Sequence, residues 1–292
     1  METSCESGLD KIARRVHIPW ADVPPRWAPS RPATPGAAMA DTAAIRAEAD
    51  AEPAQTLAEQ AYRAIRRDIV AGRLAPGQPM RFEYLKETYG LSFSPLREAL
   101  ARLQSERLVT AFALRGFRVA EMSVDEMWDT IETRIMIERE ALTAAIARGG
   151  DDWEIGIVQA FHALSHCSKR LRAAGDWPSE PAIEEIERRH QAFHRALIAA
   201  CPSRWTRELS EMLYVQTERY RRPALMRAGA APDDEGGVGS GGAAGRDIEA
   251  EHKAIMDAAI ARDAPTAVEL LTAHLRDTGR MIERLGIETG RK

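Results

Sequence analysis

Tyr89-Gly90-Leu91-Ser92-Phe93-Ser94-Pro95-Leu96-Arg97-Glu98-Ala99-Leu100 is the stretch whose reading decides the fold. The break Gly90-Leu91-Ser92 separates a short helix at about 81–89 from a second at about 94–106. Glycine ends a helix because it tolerates the left-handed conformation there. Ser92 or Ser94 can cap the second helix, and Pro95 is tolerated because the first turn needs no intrahelical donor. Upstream, Leu57, Tyr62, Ile65, Ile69 and Val70 recur at helical spacing until Gly72, and Arg73-Leu74-Ala75-Pro76-Gly77 reads as a turn. Downstream, Leu108-Val109-Thr110-Ala111-Phe112 and Phe117-Arg118-Val119 flank Arg115-Gly116 as two short strands. Two helices around a three-residue turn, followed by a hairpin, make a winged helix-turn-helix.

The second helix presents Arg97 and Arg102, with Ser94 at its N-terminal end. Residues at that end of a recognition helix reach base edges, and the guanidinium fork of Arg97 matches guanine O6 and N7. Arg115 and Arg118 sit where a wing would touch the backbone or minor groove. Taken singly, each arginine reads equally as a solvated surface charge. Charge distribution adds weight to the set. Residues 55–120 carry 11 Lys and Arg against 6 Asp and Glu, inside a chain of net charge -4. A basic segment within an acidic chain is the footprint expected of one module that meets phosphates.

The remaining sequence sets the broad class. Residues 1–54 are rich in Pro and Ala without sustained periodicity, and read as a disordered extension in which Met39 is a second candidate start. Three scattered cysteines suit a reducing cytoplasm rather than a disulfide framework. No apolar run reaches the roughly 20 residues that span a bilayer. From Val124 onward the pattern is helical, with helices near 124–148, 152–174, 179–200, 203–228, 246–262 and 265–285 and a Gly-rich loop at 229–245. The expected fold is mainly α: a winged helix-turn-helix over 55–120, then an all-α antiparallel bundle of six or seven helices over 121–292.

Four of the seven histidines have a suggestive layout. His190 and His194 stand at i and i+4 and project from one helix face, His252 lies early in the helix after the Gly-rich loop, and His274 is on the last helix. Converging imidazoles suit Zn, Ni or Cu better than Mg or Ca. The spacing alone is weak, since His162 and His166 share it without partners elsewhere in the chain.

The first module resembles the GntR family of bacterial regulators. The matching residues are Ala61-Tyr62-Arg63-Ala64-Ile65, Ile69 through Gly77, Leu85, Tyr89-Gly90-Leu91-Ser92, Ser94 through Leu100, Arg102-Leu103, Leu108-Val109 and Gly116-Phe117-Arg118-Val119. The resemblance implies binding of double-stranded operator DNA as a homodimer, one half-site per recognition helix and wing. One position departs from it. Phe93 stands where the family carries a DNA-contacting arginine, and either touches a thymine methyl or packs on the turn.

Residues 123–285 resemble the FCD ligand-binding domain of the FadR/VanR branch, through Glu132-Thr133-Arg134-Ile135-Met136-Ile137-Glu138, Phe193-His194-Arg195-Ala196-Leu197, Glu251-His252-Lys253-Ala254-Ile255 and His274-Leu275. Carried over by position, the metal ligands are His190, His194, His252 and His274, with His190 in place of the usual Asp. Losing that carboxylate shifts the preference toward a borderline-soft divalent ion, Zn or Ni. Open coordination positions suit a small carboxylate effector, and Arg134 either pairs with its carboxylate or forms a salt bridge to a nearby Glu. The implied function is a ligand-responsive regulator, a repressor in the leading reading. A metal sensor and a metallohydrolase-like domain joined to a DNA-binding module are the alternatives, and no His-Glu-x-x-His or nucleophile constellation favours the second.

Overall fold

Thr56 accepts a hydrogen bond from the Glu59 backbone N–H at 3.1 Å and starts the first helix, α1 (Leu57–Val70). The computed structural model describes residues 56–286, except 114, 178 and 231–245. The extension expected at 1–54, and residues 231–245 of the loop expected at 229–245, lie outside the described residues, while 229 and 230 belong to a helix. Helix α2 (Phe82–Tyr89) ends at Gly90, whose φ of 67° is the left-handed geometry that favours glycine. Helix α3 (Phe93–Ser105) begins one residue earlier than the sequence suggests, with Ser92 at the cap position. The Ser92 side chain makes no capping hydrogen bond. A physical reason is at hand: the third helical residue, a usual donor to the cap side chain, is Pro95 and has no N–H.

The wing is an antiparallel pair, β1 (Val109–Phe112) and β2 (Gly116–Val119), in the register Val109↔Val119 and Phe112↔Gly116. The chain between α1 and α2 runs beside β2. It is held there by Met80 N–H to Phe117 O at 2.8 Å and a bridge from Pro79 to Arg118. Ile65, Leu85, Leu96, Leu100, Leu103 and Leu108 are fully buried in the core of this module. Each contributes about 1.5–3 kcal/mol by removal from water.

Six helices follow among the described residues: α4 (Val124–Arg148), α5 (Asp151–Ala173), α6 (Glu180–Leu197), α7 (Arg204–Ala230), α8 (Ile248–Ile260) and α9 (Ala264–Leu285). Ser123, Ser179, Asp247 and Asp263 cap four of them through side-chain oxygens that accept backbone N–H groups. Helix α7 continues through Pro223 and past residue 228, where the sequence suggests a stop. A second core, built around Met127, Ile131, Leu142, Ile157, Phe193 and Ile255, joins the bundle.

Helix α7 also reaches the first module. Val215 joins the winged-helix core, Gln216 Nε2 donates to Glu106 O at 2.6 Å, and Arg219 Nη2 donates to Ala120 O at 2.8 Å. Arg73 and Glu180 form an ion pair across the same junction.

Helix α9 lies close on α4 because Gly279 has no side chain: a Cβ there would stand 2.7 Å from the Trp128 ring and 2.8 Å from Ile131 Cδ1. Overpacking of this kind costs roughly 1–3 kcal/mol, more than the ~1 kcal/mol of helix propensity that replacing Gly regains. The substitution Gly279→Leu is therefore expected to lower the unfolding free energy in a urea titration. An unchanged midpoint would show that the two helices can separate at no cost.

Candidate metal centre and nucleic-acid interface

His190 and His194 are one turn apart on α6, His252 is on α8 and His274 on α9. The bundle brings all four together, each at most 8% exposed, with one candidate ligand atom per ring and all four atoms within 4.8 Å of one another. His194 Nε2 stands 3.2 Å from His190 Nε2. Two nitrogens on one tetrahedral Zn, each about 2.0–2.1 Å from the ion, would be roughly 3.3 Å apart. His162 and His166 stack at 6.2 Å between ring centroids, both exposed and outside this cluster.

Burial holds every one of the four rings well below the usual histidine range. Nearby cations act in the same direction: Arg221 on His190, Arg134 on His194 and Arg246 on His274. Neutral imidazoles keep a lone pair free. Two buried ring nitrogens, His194 Nδ1 and His252 Nε2, have no hydrogen-bond partner. Unsatisfied buried polar atoms are costly, and a borderline-soft divalent cation taking one nitrogen from each of the four rings would relieve part of that cost. The donor set therefore fits such an ion.

Outer groups fix the ring orientations. His274 Nδ1 lies 2.8 Å from Glu251 Oε2 and 3.2 Å from Arg246 Nη2; the shorter contact to an acceptor-only carboxylate favours donation to Glu251, with Nε2 then the available ligand atom. Arg246 in turn grips both Glu251 oxygens, at 2.6 and 2.5 Å, and the His274 carbonyl at 2.8 Å. His190 Nδ1 is 2.7 Å from the Tyr214 hydroxyl, which accepts from Arg221 Nη2 at 2.8 Å. Arg221 is itself clamped on Glu187. None of these outer residues is picked out by the sequence reading. The seven-residue interval from Tyr214 to Arg221 and the adjacency of Glu251 to His252 are the signals that could have found two of the pairs.

Arg134 forms the salt bridge that one of its two sequence readings expects. It is fully buried, and its Nε donates to Glu138 at 2.7 Å, while Nη1 and Nη2 have no partner. Glu138 Oε1 also accepts from Ser210 Oγ at 2.9 Å. A cavity of about 550 Å³ opens on His190, His252 and His274.

On the winged module, Arg97, Ser94 and Arg115 are exposed, and the side chains of Arg97 and Arg115 make no hydrogen bond or ion pair among the described residues. Phe93 remains 56% exposed although its ring packs at 4.3 Å on Phe82, which meets Phe117 of the wing edge-on. Arg118 is exposed and donates to Gly77 O at 3.1 Å. Arg102 departs from its expected place. It pairs with Glu59 at 2.6 Å and stacks 3.6 Å over the Tyr62 ring, so it is committed to α1. Five residues separate it from Arg97, which is about 140° around a helix of 3.6 residues per turn. Arg81, exposed at the start of α2 and absent from the sequence candidates, is a further cation on this module.

Comparison with known proteins agrees with both halves. Residues 57–119 match the bacterial regulatory proteins of the gntR family, and residues 129–277 match the FCD domain. The HTH-type transcriptional regulator BphR of Paraburkholderia xenovorans is 36% identical over 246 residues, covering 82% of this chain and 92% of BphR. The chain belongs to the GntR family. The HTH-type transcriptional repressor GlaR of Escherichia coli is also 36% identical, over 214 residues, covering 73% of this chain and 90% of GlaR. Two solved structures share the fold at 18% identity: E. coli McbR/YncC, with a TM-score of 0.61 over 78% of this chain and 98% of the other, and a GntR regulator from a Rhodococcus species, with 0.56 over 78% and 97%. This GntR protein is thus a DNA-binding transcriptional regulator carrying an FCD domain. No helix among its described residues is long and apolar enough to cross a membrane.

Glu218 of α7 sits among Glu187, Arg221, Arg222 and Arg66, and burial with the Glu187 charge pushes its carboxyl up from 4.5 to about 7. A raised carboxyl binds more protons folded than unfolded, so its contribution to stability falls as pH rises from about 4.5 through 7. Glu218→Gln should accordingly raise the unfolding free energy over the native chain at pH 8 and leave it nearly equal at pH 5. A constant difference across that range would exclude the titration.

Proposed function

We propose that this GntR protein is a cytoplasmic repressor that responds to a carboxylate effector at a metal centre formed by His190, His194, His252 and His274. The observation that carries the reading is the convergence of four buried neutral imidazoles beside a cavity, in the same bundle as the unpaired Nη atoms of Arg134. Zn or Ni suits the donor set. When bound, such an ion supplies a Lewis-acidic anchor for carboxylate oxygens, and Arg134 offers a planar pair of donors to the same group. A hydrolytic alternative needs a free carboxylate as base. Glu138, Glu187 and Glu251 are each committed to an arginine, which speaks against it.

Helix α7 is the physical link to DNA. Tyr214 and Arg221 face the histidines, while Val215, Gln216 and Arg219 hold the winged module. An effector that binds one setting of α7 better than another shifts the population toward it, and with it the placement of the recognition helix. In a homodimer, the spacing of two such helices determines whether both half-sites are met at once. Arg97, Ser94, Phe93, Arg115 and Arg118 form the proposed operator-facing set, with Arg102 bracing α3 on α1.

Two measurements test this reading. Arg97→Ala, which removes an exposed unpartnered guanidinium from the start of α3, is expected to weaken specific operator binding by about 1–3 kcal/mol in gel-shift titrations. Equal affinity for operator before and after the change would remove Arg97 from the interface. His194→Ala is expected to lower the metal bound per chain in elemental analysis while effector-free DNA binding survives. A full metal complement in that variant would refute the centre as drawn.

A further inference from the structure

The cavity beside the histidines is much larger than a short organic acid. At about 550 Å³ it lies within the range of drug-sized ligand sites. Most of its exposed wall surface is apolar, from Phe161 and Leu164 on α5, Trp177, Ile186 on α6 and Met281 on α9, while Ser165, Lys169 and Glu249 also line it and are engaged with one another. A polyhydroxylated acid would lose water from its hydroxyls against the apolar part of these walls, and would have to compete with Glu249 for Ser165 and Lys169.

The histidine end has the opposite character. Around the four rings, Arg134 with Glu138, Arg221 with Glu187 and Arg246 with Glu251 are three ion pairs whose charges cancel, and of these residues Arg221, Glu187 and Arg246 line the cavity. Four neutral imidazoles add no negative charge. A divalent ion held there would have its charge uncompensated by the chain, in a buried site where that is costly. The Trp177 indole N–H, buried without a partner, is one further unsatisfied donor in the wall.

Resting on the metal-centre reading above, we infer that the effector is an amphiphilic carboxylate: its anionic head meets the histidine end, and an alkyl or aryl body fills the cavity between α5, α6 and α9. Sugar acids and short hydroxy acids are excluded as the best ligands, because they supply the head and leave the apolar walls wet or empty.

The test uses the full chain, with metal content measured first by elemental analysis. Calorimetric titration then compares acetate, lactate, gluconate, butanoate, hexanoate, octanoate and 3-phenylpropanoate, with octanamide as an uncharged control. Affinity should climb about three- to fourfold per added methylene until the cavity is full. Octanamide should bind at least about tenfold more weakly than octanoate. Ile186→Phe, which takes up cavity space, should weaken octanoate more than butanoate without changing metal content. Ser168→Trp at the cavity lining provides the same comparison away from the core. Gluconate or lactate binding tighter than every alkyl and aryl acid, or affinity indifferent to chain length, would overturn the inference. If metal is bound and affinity does not climb, the inference fails and the metal centre stands. If affinity climbs in a chain that binds no metal, the amphiphile stands and the metal centre fails.

Discussion

Four buried imidazoles within 4.8 Å of one another cannot satisfy themselves. Each neutral ring has one donor and one acceptor nitrogen. Glu251 meets Nδ1 of His274, Tyr214 meets Nδ1 of His190, and His190 and His194 share one contact between their Nε2 atoms, which leaves His194 Nδ1 and His252 Nε2 buried without a hydrogen-bond partner. The bundle tolerates this only because Arg246–Glu251 and Arg221–Glu187 lock the rings from outside. Much of the bundle's geometry follows from that demand. Helices α6, α8 and α9 must converge, and α7 must lie close enough to supply Tyr214 and Arg221.

The winged helix-turn-helix was legible because its signals are local. Gly90 and Gly116 each fix a left-handed turn, Pro95 fits only the first turn of α3, and the apolar spacing of α1 needs no distant partner. The bundle helices were legible for the same reason, with ends set by side-chain caps and Gly or Pro breaks. Convergence of the histidines is a different kind of statement. The i,i+4 pair on α6 is identical in spacing to His162 and His166, which lie exposed on α5. Only the packing of α8 and α9 onto α6 separates the two pairs, and family resemblance rather than periodicity indicated it in advance.

Arg102 and Arg134 show what sequence leaves out about charged side chains. An arginine on a basic helix reads as a DNA contact until its partner is known. Arg102 has Glu59 and the Tyr62 ring, 43 and 40 residues away in the chain and adjacent in space. Arg134 has an i+4 carboxylate that the sequence displays, yet its two unpaired Nη atoms follow from burial, which the sequence does not. The same applies to Tyr214, an unremarkable residue on a polar helix until His190 is placed beside it.

A shared helix makes the link between ligand and DNA a matter of backbone geometry rather than of a long side-chain chain. Tyr214 and Val215 are consecutive residues, one directed at the histidines and the other buried in the winged-helix core. Any rotation of α7 that moves the Tyr214 hydroxyl must also move Val215 and the Gln216 contact to Glu106, because a packed helix turns as a unit. Pro223 lies against Gly72 at the end of α1, so the helix is braced on the module at a second point two turns away. With two braces on one helix, a displacement at the histidines would be passed to the module as well as to the bundle. A ligand that favours one seating of the Tyr214–Arg221 face therefore biases the winged helix directly, and the strength of that bias is limited only by its difference in affinity for the two seatings.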